Sequence, residues 1–229
     1  MGDRRYLKLL IAGGIVMTVF ACGCGKIKSE KPTGDYRDVI SKLIMKKYGL
    51  AVEVNEVTEN DRNTWMDKIT YKGKAQIKDS DDVFDVVISK DKETLYDNYP
   101  EIIYKDKIDE MLNGIYADNP HISIQSSEYV YEVSDKDWTD EDSPDDYIKN
   151  SGSYANIVFD VNGNDIEEVA GYISDFFYEL ENRGFKCVVS CDYSYGSKSG
   201  NIGFASIAGK ELGNVSDIKY KLENSRRDW

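Results

Sequence analysis

Apolar residues first recur at helical spacing shortly after residue 35. Tyr36, Val39, Ile40, Leu43, Ile44 and Tyr48 fall at i, i+3, i+4, i+7, i+8 and i+12, with Lys and Arg opposite them. That stripe predicts an amphipathic helix, framed by Asp35 as N-cap and Gly49 just past its end. The period then falls to two. Val52 and Val54 alternate with Glu53 and Asn55, and Ile69, Tyr71, Ala75 and Ile77 alternate with Lys, Thr and Gln. Residues 60–63 read as a loop between these strands, and the denser run at 83–88 as a more buried strand. After Tyr99-Pro100 a looser stripe of Ile103, Lys107, Ile108, Met111, Leu112 and Ile115 predicts a second helix, to about Tyr116.

In the second half, residues 122–133 read as one strand or a bent pair, with Tyr129, Tyr131 and Val133 alternating. Residues 134–150 crowd Asp135, Asp137, Asp140, Glu141, Asp142, Asp145 and Asp146 around Trp138 and Pro144. Such charge density predicts a solvated loop. A strand follows at 154–161, then the strongest helix of the chain at 165–183. Its apolar face is Val169, Tyr172, Ile173, Phe176, Phe177 and Leu180, and Gly184 ends it. Phe185, Cys187, Val189, Cys191 and Tyr193 share one face of the next strand. A hairpin loop at 195–201, a return strand at 202–208 and a short helix within 216–229 complete the reading. The fold class is α+β: helix, three strands and helix, then an antiparallel sheet with one packed helix. It divides into an α+β domain at 35–118, a second at 119–215 and a tail at 216–229.

The N-terminus obeys different rules. Arg4, Arg5 and Lys8 precede an apolar stretch at 7–21, broken only by Gly13, Gly14 and Thr18. This is the signal-peptide pattern and is short for a membrane span. It closes on Val19-Phe20-Ala21-Cys22-Gly23-Cys24, which resembles the lipobox of bacterial prolipoproteins: an aliphatic residue at −3, a small one at −1, then Cys. The resemblance implies a signal peptide at 1–21 and acylation, with palmitate or a similar chain, of Cys22. Cys24, with Gly23 before it and Ala21 at −3, is the alternative. A lipidated Cys bearing more than one chain anchors stably. Met1-Gly2 does not begin a myristoylation motif, because Tyr6 stands where Ser or Thr belongs. Arg4-Arg5 lacks one residue of twin-arginine spacing. Residues 25–34 are polar and carry Gly and Pro, so 22–34 is expected to be the lipidated Cys with a flexible tether.

Charge narrows the partners. The 229-residue chain carries a formal net charge of −13. Asp3 offsets one of the three leading cations, so residues 1–21 hold +2 and the remainder −15. A polyanion of that size repels nucleic acid and anionic headgroups. The chain holds 17 Tyr against 7 Phe, which suits half-exposed strand faces and, less simply, ligand stacking.

Two short motifs carry a second resemblance. Lys47-Tyr48-Gly49 after the first helix and Asp97-Asn98-Tyr99 before the second are similar to those of short lipoproteins of Gram-positive bacteria. They read as structural punctuation, and the resemblance implies no established activity.

Candidate chemistry is sparse. Cys187 and Cys191 lie on one strand face about 13 Å apart, beyond disulfide reach, among Phe, Val and Tyr. They read as small hydrophobes. His121 is the only histidine, so any His-dependent catalysis or zinc site has to use it, and its neighbours supply no partner spacing. Asp160-Val161-Asn162-Gly163-Asn164-Asp165 has its Gly two places early for an EF-hand, and Gly171 stands where the Glu belongs. It reads as a turn feeding a helix cap. Gly196-Ser197-Lys198-Ser199-Gly200 lacks phosphate-loop spacing and reads as a hairpin tip. No catalytic residue, metal ligand or cofactor is singled out. The expectation is a non-enzymatic binding or accessory lipoprotein on the extracytoplasmic face of the cell membrane, meeting an unknown protein or envelope ligand and no nucleic acid. Two alternatives stand beside it: an Asp/Glu-dependent surface hydrolase, and a calcium-dependent module built on residues 135–146.

Overall fold

The computed structural model describes residues 34–60, 70–206 and 212–225. Cys22, Cys24, the signal peptide, the rest of the tether to residue 33, residues 61–63 of the expected loop and Ile69 lie outside the described residues, as does the side chain of Asp35; Gly34, expected in the tether, opens the first helix. The fold is α+β; the described residues form two four-stranded sheets, each built from strands consecutive in sequence.

The first sheet has the order β1-β2-β3-β4, from β1 (Val52–Asn60), β2 (Thr70–Ile77), β3 (Val83–Ser89) and β4 (Leu95–Asp97), all antiparallel. Helix α1 (Gly34–Tyr48) covers one face. The predicted stripe is the one that packs: Ile40 and Ile44 are fully buried against Val54, Ala75, Phe84, Val86 and Ile88, with Tyr36, Val39, Leu43 and Tyr48 at the margin. β1 bulges between Asn55 and Thr58, where Glu56 takes a φ of 52°. Gly73 on β2 lies under that bulge. A Cβ there would come within 3.0 Å of the Asn55 carbonyl oxygen and 3.2 Å of Val57 Cγ2, so the close approach of the two strands depends on its lack of a side chain.

Helix α2 (Pro100–Asp118) follows this sheet in sequence, yet its buried residues Tyr104, Ile108, Leu112 and Ile115 join the core of the second sheet. Periodicity reports that a helix has an apolar face and is silent on which sheet that face meets. The second sheet has the order β5-β6-β7-β8: β5 (Ile122–Val130), β6 (Tyr154–Gly163), β7 (Cys187–Tyr195) and β8 (Lys198–Ala205). Its central pair departs from the antiparallel expectation. β6 and β7 run parallel, from Ala155 opposite Cys187 to Gly163 opposite Tyr195. Parallel neighbours need a crossover, and α4 (Ile166–Asn182) supplies it. The outer pairs are antiparallel; β5 is bent by a bulge at Gln125 and ends at Val130, so residues 131–133 fall outside the strand expected at 122–133.

Helix α4 is buried along Val169, Ala170, Ile173, Phe176, Phe177 and Leu180, none more than 1% exposed. Asp165 caps it by accepting from the Glu168 N–H at 3.0 Å, while Glu168 accepts from the Asn164 N–H at 2.9 Å. Asn164 and Asp165 thus form the turn and cap that the sequence implies, while Asp160 to Gly163, expected in that turn, continue β6. At the other end Gly184 takes a φ of 85°, and the amides of Gly184 and Phe185 return to the carbonyls of Glu181 and Leu180, as in a Schellman motif.

Three segments correct the sequence reading. The acidic stretch at 134–150 is not a solvated loop throughout: Trp138 is 1% exposed, and helix α3 (Pro144–Asn150) buries Tyr147 and Ile148. Ser143 caps that helix, accepting from the Asp146 N–H at 3.0 Å, and Asp145 and Asp146 occupy its first turn, where negative charge is favoured. The acids point outward while three large side chains point in. The β7–β8 hairpin is tighter than a loop at 195–201, since Tyr195 already pairs Lys198 across a turn of Gly196 and Ser197. The return strand starts correspondingly earlier than residue 202 and is described to Ala205. The tail helix is present as α5 (Val215–Asn224), capped by Asn214, with Ile218 and Leu222 buried. No helix among the described residues is long and apolar enough to cross a membrane.

Candidate functional site

The two motifs read as punctuation meet in space. Lys47 and Tyr48 close α1, and Asp97 ends β4. Lys47 Nζ lies 3.0 Å from Asp97 Oδ2. The Tyr48 hydroxyl donates to Asp97 Oδ1 at 2.8 Å, and the Tyr99 amide donates to the same oxygen at 3.1 Å. The carboxylate is wholly buried and the Lys47 side chain only 9% exposed. Tyr48 and Tyr99 stand ring to ring at 4.5 Å, and Asn98 Oδ1 accepts from the Asp85 amide at 2.6 Å. The backbone of Asp97 also pairs in both directions with Ser134, and Lys47 reaches Asp137 at 3.5 Å. The centre therefore links α1 to β4 through one carboxylate, and both to the acidic segment through the Asp97 backbone and the Lys47 ammonium.

Electrostatics here is set first by burial. Burial pushes the Asp97 carboxyl above the usual carboxylate range, against the opposing pull of Lys47 and of its hydrogen bonds to Lys47, Tyr48 and Tyr99. Burial, followed by the neighbouring Asp97 charge, raises the Tyr48 hydroxyl, which stays a neutral donor. Both carboxylate oxygens are engaged by groups of the chain itself, so the arrangement ties segments together and leaves no free base.

Beside it lies an aromatic cluster. Tyr147 contacts Tyr104 at 5.0 Å and Trp138 at 5.1 Å, and the Tyr147 and Ser153 hydroxyls share a hydrogen bond of 2.7 Å. Tyr104 donates to the Thr139 carbonyl, and Lys136 Nζ sits 3.5 Å over the Trp138 ring. The Tyr abundance is thus partly a core device. Asp142 accepts from the Thr139 amide at 2.9 Å, and Asp146 from the Ser143 hydroxyl at 2.8 Å. Among the described residues no three His, Cys, Asp or Glu side chains converge as metal ligands.

Cys187 and Cys191 are fully buried free thiols on the inner face of β7. Burial pushes Cys187 up to about 12 and raises Cys191 as well, which disfavours the nucleophilic thiolate. His121 is exposed at the α2–β5 turn and stacks on Tyr172 of α4, with ring centroids 3.9 Å apart and planes at 8°. These two rings line an open cleft of about 310 Å³ together with Asp118, Asp175, Tyr178 and Glu179. The apolar stripe places Tyr172 on the buried face of α4. It sits half-buried at the edge of that face, and this placement is what makes a wall for His121.

No family model matches the chain, and no curated protein matches it. One solved structure with a weak likeness is a DUF5037 family protein from Ruminococcus gnavus ATCC 29149, at a TM-score of 0.35 and 10% identity. The match covers 83% of this chain and 100% of that one. At that score the likeness fixes neither the fold nor an activity.

Proposed function

We propose that this protein is a lipid-anchored module of the bacterial cell envelope, held on the extracytoplasmic face of the membrane and acting by binding rather than by catalysis. One sequence observation carries the reading: Arg4, Arg5 and Lys8, then an apolar stretch closing on Val19-Phe20-Ala21-Cys22. Acylation falls on Cys22, or on Cys24 if processing takes the next small residue. The charge of −15 beyond residue 21 suits a domain kept clear of anionic headgroups and of nucleic acid.

Support for binding over catalysis comes from how the reactive groups are used. The buried Asp97 carboxylate is fully engaged by Lys47, Tyr48 and Tyr99. The thiols of Cys187 and Cys191 are buried and hard to ionise. The partner is a protein or another ligand of the envelope. The reading is tested by growing cells that express the full chain with labelled palmitate. Label on the wild-type chain and its loss in Cys22→Ala support the anchor; an unlabelled wild-type chain refutes it.

A further inference from the structure

The cleft between the α2–β5 turn and α4 has the chemistry of a site for an organic cation. Its floor and one wall come from α4, where Tyr172, Asp175 and Glu179 fall at i, i+3 and i+7 along the flank of the buried face. The other wall is the turn from Asp118 to Ile122. That turn is held by the Asn119 side chain, which donates to the Ile115 carbonyl at 2.7 Å, and by the Ile122 amide, which donates to the Asn119 carbonyl at 3.0 Å. His121 is laid flat on Tyr172, and Tyr178 is 65% exposed at the rim. The exposed His121 ring on its Tyr172 support and the exposed Tyr178 ring therefore stand beside three carboxylates.

Two further observations decide the ligand class. Among the described residues, Asp118, Asp175 and Glu179 form no ion pair and no side-chain hydrogen bond, and no Lys or Arg lines the cleft. Nor do they converge as a chelating group. Carboxylates spread along a concave, partly aromatic surface suit an elongated cation, with an ammonium near the acids and an aliphatic stem along the rings. A bare metal ion needs ligands brought together.

We infer that this cleft binds lysine side chains of a basic peptide segment in a partner protein. The ammonium pairs with Asp175 and Glu179, and the stem lies against Tyr172 and Tyr178. The inference rests on the binding half of the proposed function and is independent of the anchor.

The chain's single histidine makes the test direct, because His121 gives one imidazole signal, placed in the cleft. The full chain, held at fixed pH, is titrated with end-capped tetralysine while the His121 ring resonances are followed. A saturable shift is expected. Asp175→Asn with Glu179→Gln should weaken it about tenfold, as befits two exposed charge contacts. Asp135→Asn with Asp140→Asn removes the same charge outside the cleft and should leave binding nearly unchanged. Capped tetraglutamate should give no shift, and Cys22→Ala should bind as wild type, which keeps failure of the anchor separate from failure of the cleft. Both cleft substitutions fall on a solvent-facing flank; should the pair fail to fold, Asp175→Asn alone serves, with a smaller loss. The inference is overturned by absence of a saturable shift, by equal weakening in the two double variants, or by an equal response to tetraglutamate.

Discussion

The ammonium of Lys47 lies 3.0 Å from the carboxylate of Asp97, a residue 50 positions further along the chain, and both side chains are shielded from water. A charged pair in such a setting adds little net stability, but the loss of one partner strands the other. Lys47→Met should therefore destabilise the protein by about 3–5 kcal/mol at neutral pH. Urea unfolding of the two proteins side by side measures this, and a loss below about 1 kcal/mol, typical of a surface pair, contradicts the buried-pair description.

The same carboxylate gives a pH prediction with a definite sign. Burial holds the folded-state pKa of Asp97 above its ordinary value, so the folded chain keeps this proton to higher pH than the unfolded chain. The contribution of this group to stability is greatest below the ordinary aspartate pKa and is lost as pH rises through the raised one. Asn carries no such titration. Asp97→Asn should thus gain on wild type as pH climbs from about 3.9, the unfolded value, to neutrality. Unfolding free energies measured across that range decide it, and a gap that moves the other way means that Lys47 outweighs burial.

Trp138 distinguishes a folded acidic segment from a solvated one. It is 1% exposed and packs edge-on against Tyr147. Trp138→Ala should cost about 3–5 kcal/mol, as for a large core aromatic. A solvated-loop residue would cost less than about 0.5 kcal/mol, so a single denaturation curve separates the two pictures.

The two strand thiols should be silent until the chain opens. Both are fully buried, and burial pushes Cys187 up to about 12. Alkylation with iodoacetamide at pH 8 should leave residues 187 and 191 unmodified in the native chain and modify both in denaturant, as read from peptide masses. Rapid native labelling at either position contradicts the burial.

What was legible in the sequence was local. The helix at 165–183 was readable because its six apolar residues repeat at one period and its Asp165 and Gly184 ends use short-range cap chemistry. The parallel pairing of β6 and β7 was present in the strand–helix–strand order around that helix but was masked by the hairpins on either side. Trp138, Tyr147 and Ile148 were hidden because seven acids dominate the average over their segment, and an average cannot show that three side chains turn inward. The Lys47–Asp97 centre was visible as two motifs, yet a separation of 50 residues holds no hint that they touch. His121 gave no signal of its own, since its partner, Tyr172, comes from a helix on the far side of two strands in sequence.

Intact mass with membrane partition, for the wild-type chain beside Cys22→Ala and Cys24→Ala, decides whether the protein is lipid-anchored. A lipid-anchored wild-type protein should lack residues 1–21, carry added acyl mass and partition with membranes, with Cys22→Ala alone remaining unprocessed or released. Wild-type mass equal to that of the unmodified chain, with partition unchanged by either substitution, contradicts the anchor.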